Sequence, residues 1–223
     1  MTTREPSGPG GTPAEPGSTP AGPGSAPAVP GDPSTLPGVR WGRATRHADV
    51  RGGLAEIVRA SALDLSSGRT GLDGAAIAQA NLSVSAPGVL RGPHLHRRQL
   101  DRWYVAAGRA FVALVDVRPL LADPGASPPV EVREVGADDW VEIPAGVAHG
   151  FLALEPLTLV YVVTNEYDGT DELGFAWDDP DAAIPWPTVA STPDGRPILS
   201  DRDRSGPRLR DLVARLGADR DRG

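Results

Sequence analysis

The sequence predicts an all-β fold, an antiparallel barrel or jelly roll, with a short helix at its C-terminal end and a disordered tail at its N-terminal end. Three observations predict it. Short segments alternate apolar and polar residues between turn signals, with no helical pattern separating them. A helical apolar period occurs only after Pro207. The first 38 residues are almost wholly Pro, Gly, Ser, Thr and Ala, too poor in apolar surface to offset the entropy of ordering. The domain plan is therefore a tail over residues 1–38 and one domain over 39–223, long enough to close a good-sized core.

Taken in order, Trp41 to Ser67 reads as a turn followed by a mixed segment, and Ile77 to Ser85 alternates as a strand. Pro87-Gly88 then turns the chain. Trp103 to Val117 is two strands about Gly108. The second sets Phe111, Ala113, Val115 and Val117 on one face and Val112, Leu114 and Asp116 on the other. A loop from Leu121 to Pro129 separates these from a clean alternation over Val130–Val135 and a short strand over Trp140–Ile143. Gly150–Leu154 and Leu157–Asn165 form a hairpin about Glu155-Pro156. Leu209, Leu212, Val213 and Leu216 lie on one face of a helix packed outside the barrel.

Composition narrows the function. The chain has no cysteine, so disulfides and thiolate metal sites are excluded. No apolar run approaches the ~20 residues of a membrane helix, and the opening lacks the basic start and apolar core of a signal peptide. A net charge of -7 offers no whole-chain argument for nucleic acid. A soluble cytoplasmic protein with neither a nucleic-acid nor a membrane partner is expected.

The chemistry concentrates between Gly88 and Asp116. His94 and His96, two of only four histidines, stand two residues apart and share a strand face. If that face lines a barrel, Asp101 and His149 can join them, and His94, His96, Asp101 and His149 together suit a first-row metal. The alternative is that no metal binds and His96 is a solvent-facing or hydrogen-bonded neighbour. The spacing Gly88-x5-His94-x-His96-x4-Asp101-x6-Gly108, followed by Pro144-x-Gly146-x2-His149, resembles the two motifs of the cupin superfamily.

A closer resemblance spans residues 49 to 203. The blocks VRGGLAE, NLSVSAPGVLRGPHLH, QLDRWYVAAG, IPAGVAHGFLAL, VYVVTNEYD, WDDPDAAIPWP and PILSDRD follow one another as in the dTDP-4-dehydrorhamnose 3,5-epimerase family of cupins. The resemblance implies proton removal beside the 4-keto group of a nucleotide-linked 6-deoxysugar, and reprotonation on the opposite face, with no required cofactor. It implies His94 as the base, Asp203 as its orienting carboxylate and Tyr161 as the acid. Arg51, Glu56, Asn81, Arg91, His149 and Tyr167 match substrate-binding positions. It also implies a homodimer that exchanges N-terminal strands and takes a nucleotide sugar as its partner.

The chain departs from the family at Asp101, where a QxK pattern has a lysine suited to stabilising an enolate. Pro93 and His96 depart as well. A carboxylate repels an enolate, and one lost oxyanion stabiliser typically costs ~10²–10³ in rate. Three explanations stand. The protein acts on a different sugar with another cationic group at the oxygen, it is a weak or inactive sugar-binding relative, or a metal takes the lysine's part as in a metal-dependent cupin enzyme.

Overall fold

The computed structural model describes residues 33–59 and 77–220 of the chain. Residues 1–32 of the expected tail, and residues 60–67 of the mixed segment, lie outside the described residues. Among the described residues, twelve strands and two α-helices occur in chain order. The strands are β1 (Arg40–Arg43), β2 (Arg46–Asp49), β3 (Gly52–Ala55), β4 (Gln79–Ser85), β5 (Leu90–Leu95), β6 (Asp101–Ala107), β7 (Arg109–Asp116), β8 (Val130–Gly136), β9 (Asp139–Ile143), β10 (Val147–Ala153), β11 (Leu157–Val163) and β12 (Leu173–Gly174). The helices are α1 (Asp201–Arg204) and α2 (Leu209–Arg220).

Two five-stranded antiparallel sheets face each other, one ordered β1-β9-β6-β11-β4 and the other β12-β5-β10-β7-β8. This is the expected jelly roll. Trp103, Val105, Val112, Leu114, Val141, Phe151, Leu157 and Leu159 fill one part of the space between them. The Gly108 bend joining β6 and β7 has φ +83°, and any side chain there runs into the Pro156 carbonyl, so only glycine fits.

The outer face of the second sheet is also covered. Leu209, Leu212, Val213 and Leu216 of α2 pack on Leu95, Val115, Val117 and Leu120, as the periodicity predicts. Asp179 Oδ2 accepts the first helical N–H, that of Leu209, at 3.0 Å. Strand β10 is therefore buried along its whole length and carries no alternation. That is why the sequence reading began this strand only at Gly150, leaving His149 out of it.

The folded domain also takes in residues 33–38, which the sequence reading assigned to the tail. Leu36 is buried in the core, and the Thr35 N–H donates to Glu131 Oε2 at 3.0 Å. Strands β2 and β3 form a separate hairpin that leaves Val50 and Leu54 exposed.

Candidate functional site

The remaining space between the sheets is an open cavity of about 490 Å³. The period-2 rule builds its walls. On β4, Gln79, Asn81 and Ser83 face it while Ala80, Leu82 and Val84 face out. Tyr161 on β11 and Trp103 on β6 enter from the same sheet, in register with each other. Arg91 and His94 on β5 and His149 on β10 enter from the opposite sheet, with His94 and His149 side by side in register. Here Gly92 (φ +92°) lets β5 approach β10 so closely that an added Cβ meets the His149 carbonyl at 2.6 Å.

The far end of the chain reaches this wall. Ile198 runs beside β5, taking the Leu90 N–H at 3.0 Å and giving its own N–H to Gly88 at 2.8 Å. Ser200 then caps α1, its Oγ accepting the Asp203 N–H at 3.1 Å and donating to Asp203 Oδ2 at 2.8 Å. The other oxygen, Asp203 Oδ1, lies 2.8 Å from His94 Nε2. Burial pushes the Asp203 carboxyl up, but the His94 bond and charge, Ser200 and the Gly92 backbone outweigh it and hold it below the usual carboxylate range. His94 Nε2 thus donates to a carboxylate, leaving Nδ1 with a lone pair, 3.5 Å from Glu172 Oε1.

Tyr161 shares the cavity with His94. Burial raises its pKa, and the charges of Asp101 and Glu172 raise it further while Arg91 opposes them, so the phenol stays protonated. Arg91 donates to Ser85 Oγ at 3.1 Å. Asn81 accepts from Gln79 Nε2 at 2.8 Å. Tyr167 stands at the mouth, exposed, its N–H held by Gln79 Oε1 at 2.9 Å.

His149 is buried, and that burial drives its pKa down to about 4 against the pull of Asp101. His96, Asp101 and His149 converge, with one donor atom from each lying within 4.8 Å of the others. The four residues considered together from the sequence therefore divide. His94 is turned to Asp203 and is not part of this group of three.

Arg51 and Glu56 do not line the cavity of their own chain. Arg51 pairs with Asp49 and Glu56 with Arg59. Two charged residues that the sequence reading missed do line it, Glu172 and Arg202, joined at 2.8 Å. Each sits alone in a polar stretch without periodicity, so no local signal marks either. Gln79, two residues from Asn81 on one strand face, was open to the period-2 argument.

The model of the dTDP-4-dehydrorhamnose 3,5-epimerase family matches residues 33–211. The chain is similar to the spore coat polysaccharide biosynthesis protein SpsL of Bacillus subtilis, 35% identical over 157 residues that cover 68% of this chain and 96% of SpsL. Among solved structures it is similar to the rmlC epimerase of Mycobacterium tuberculosis, with a TM-score of 0.69, 29% identity and coverage of 84% of this chain and 92% of that one. It is also similar to ChmJ, a 3'-monoepimerase from Streptomyces bikiniensis in complex with dTDP-quinovose, with a TM-score of 0.68, 30% identity and coverage of 83% and 90%.

Proposed function

The chain belongs to the dTDP-4-dehydrorhamnose 3,5-epimerase family, and on that premise we propose that its cavity epimerises a dTDP-linked 4-keto-6-deoxysugar with His94 as base and Tyr161 as acid. His94 Nδ1 removes the proton from a carbon next to the keto group, and the electron pair moves onto the keto oxygen. The Tyr161 hydroxyl returns a proton to the opposite face of that carbon. The imidazolium and the phenolate then exchange with solvent, and no electron is gained or lost.

One observation carries this reading: the 2.8 Å contact between His94 Nε2 and Asp203 in a cavity that Tyr161 enters from the facing sheet. The contact fixes the tautomer, holds the ring and stabilises the imidazolium. Glu172 stands 3.5 Å from the free nitrogen, and Arg202 holds Glu172 in place. Asn81, Arg91, His149 and Tyr167 are the substrate contacts in this reading.

A homodimer completes the site. Arg51 and Glu56 stand away from their own cavity on a hairpin whose Val50 and Leu54 are exposed. The edge strand β4 exposes Leu82 and Val84. These features support a hairpin that docks on a second copy and offers Arg51 and Glu56 to the nucleotide there. Light scattering on the full chain tests the dimer, and a monomer at micromolar concentration contradicts it.

Incubation with dTDP-4-keto-6-deoxyglucose in deuterium oxide tests the chemistry. Deuterium enters carbon 3, carbon 5 or both, and His94→Ala abolishes the exchange. Undiminished exchange in that variant removes His94 from the role of base.

A further inference from the structure

We propose that His96, His149 and Asp101 form a binding site for one first-row divalent transition cation in the wall of the cavity. The case begins with protons. His96 Nδ1 donates to the Asp171 carbonyl and His149 Nδ1 to the Val147 carbonyl, each at 3.1 Å. In the neutral rings both Nε2 atoms therefore carry lone pairs. These lone pairs face Asp101, His96 Nε2 at 3.9 Å from Oδ1 and His149 Nε2 at 3.7 Å from Oδ2. The two imidazole lone pairs thus meet at a carboxylate whose oxygens accept from Gln99 Nε2 and Trp103 Nε1, and none of the three side chains offers a donor to either Nε2. A cation between them can take both nitrogens and one carboxylate oxygen as ligands.

The surroundings are built for that purpose. The outward nitrogen of each imidazole is anchored on a backbone carbonyl. Asp101 is held by Gln99 Nε2 at 2.7 Å and Trp103 Nε1 at 3.2 Å, so its direction is fixed. Metal-binding imidazoles and carboxylates depend on such outer contacts for orientation. No arginine pairs with Asp101 among the described residues, and all 22 basic residues counted as Lys or Arg in this chain are arginines. Asp101 and His149 are buried, with exposures of 3% and 4%.

The dimensions agree. Metal–ligand bonds of ~2.0–2.2 Å in a tetrahedral arrangement set donor atoms about 3.4 Å apart. The observed separations are 3.9 Å to one Asp101 oxygen and 3.7 Å to the other, and one donor atom from each residue lies within 4.8 Å of the others, so side-chain rotations that draw the three together complete the fit. Two imidazoles and one carboxylate suit zinc, iron, cobalt or nickel better than magnesium or calcium. All three residues line the cavity, so a remaining coordination position lies on the substrate side, and with the cation bound His149 acts on the substrate through it rather than by direct contact. Resting on the epimerase reading for this last consequence only, the cation stands where it can draw charge from the sugar's keto oxygen.

The test uses the untagged, full-length chain purified without added metal, then stripped with EDTA and titrated with Zn²⁺, Mn²⁺ or Fe²⁺. Elemental analysis by plasma mass spectrometry is expected to give about one metal per chain before stripping. Titration is expected to restore one saturable site, weakened at least 100-fold in Asp101→Asn and in His96→Gln. Uptake well below one per chain with no saturable titration overturns the site, as does undiminished uptake in the two variants. If either variant fails to fold, the wild-type chain decides: one equivalent raises the melting temperature of the stripped protein, and no shift overturns the proposal. Deuterium exchange on the same samples separates the two readings, since metal uptake without exchange leaves the cation site standing and removes the epimerase reading.

Discussion

Two histidine–carboxylate groupings share this cavity and differ in their spacing. His94 Nε2 is 2.8 Å from Asp203, whereas His96 and His149 stand 3.9 and 3.7 Å from Asp101. The difference follows from where each ring keeps its proton. His94 directs its N–H at the carboxylate and turns a lone pair to the cavity. His96 and His149 direct theirs at backbone carbonyls and turn lone pairs to the carboxylate. The same residue types are therefore arranged as we propose for a base in one place and for a ligand set in the other. The deciding partner is a main-chain oxygen, which residue identity does not show.

The sharpest way to break this comparison is His94→Asn. Loss of a positioned general base lowers exchange by about 10²–10⁴-fold. Metal content is expected to stay at the wild-type value, because His94 is not in the cluster of three. A parallel loss of metal merges the two groupings into one.

Asp203→Asn comes next, with a loss of kcat of up to about 10⁴-fold expected from a mis-set tautomer. It also has a signature in stability. The folded pKa of Asp203 lies below its ordinary value. Its contribution is therefore fully present above the unfolded pKa of about 3.9 and is lost as pH falls through the folded value. The melting-temperature gap between wild type and Asp203→Asn is expected to be constant at neutral pH and to close below about pH 4. A gap that persists in acid means that Asp203 stabilises by shape rather than by charge.

Tyr161→Phe is expected to have a smaller effect on exchange and a larger one on outcome. The base still removes a proton, so deuterium still enters, but delivery from the opposite face falls by about 10-fold or more. Nuclear magnetic resonance of the product separates exchange from inversion. Equal loss of both denies Tyr161 the role of acid.

The legibility of the molecule divides along the same line. The apolar face of α2 was readable because burial on one side leaves a period, whereas β7 is buried on both faces and the buried positions of β8 are Glu131 and Val135 rather than Val130 and Val132. Strand β10 was readable only in part, because helix and sheet cover both of its faces. His94, Asp203 and Tyr161 came from motif resemblance, and the structure brings all three to one cavity. Glu172 and Arg202 were not legible, since their place depends on how β12 and α1 fold back on β5. Nor was the separation of His94 from His96, which depends on which atom each ring offers.

Asp101→Asn is the smallest expected effect and the most direct probe of the cluster. The amide keeps one oxygen for Trp103 Nε1, while its nitrogen takes the place of Oδ1, nearest His96 Nε2, and Gln99 turns its own amide to accept. One acceptor in a meeting of acceptors becomes a donor, and a buried charge without an arginine partner is removed. A relieved buried polar group is worth about 1 kcal/mol, which for a domain of this size is about 2–4 °C in melting temperature. The metal-stripped variant is therefore expected to melt above the metal-stripped wild type, although removing a buried side chain's partners ordinarily lowers stability. With metal present the order reverses, because only the wild type gains binding free energy. Calorimetry on the two stripped proteins and the two loaded ones gives four melting temperatures. If the stripped variant melts lower, the three acceptors were not in conflict, and the contrast between the two groupings reduces to one of distance alone.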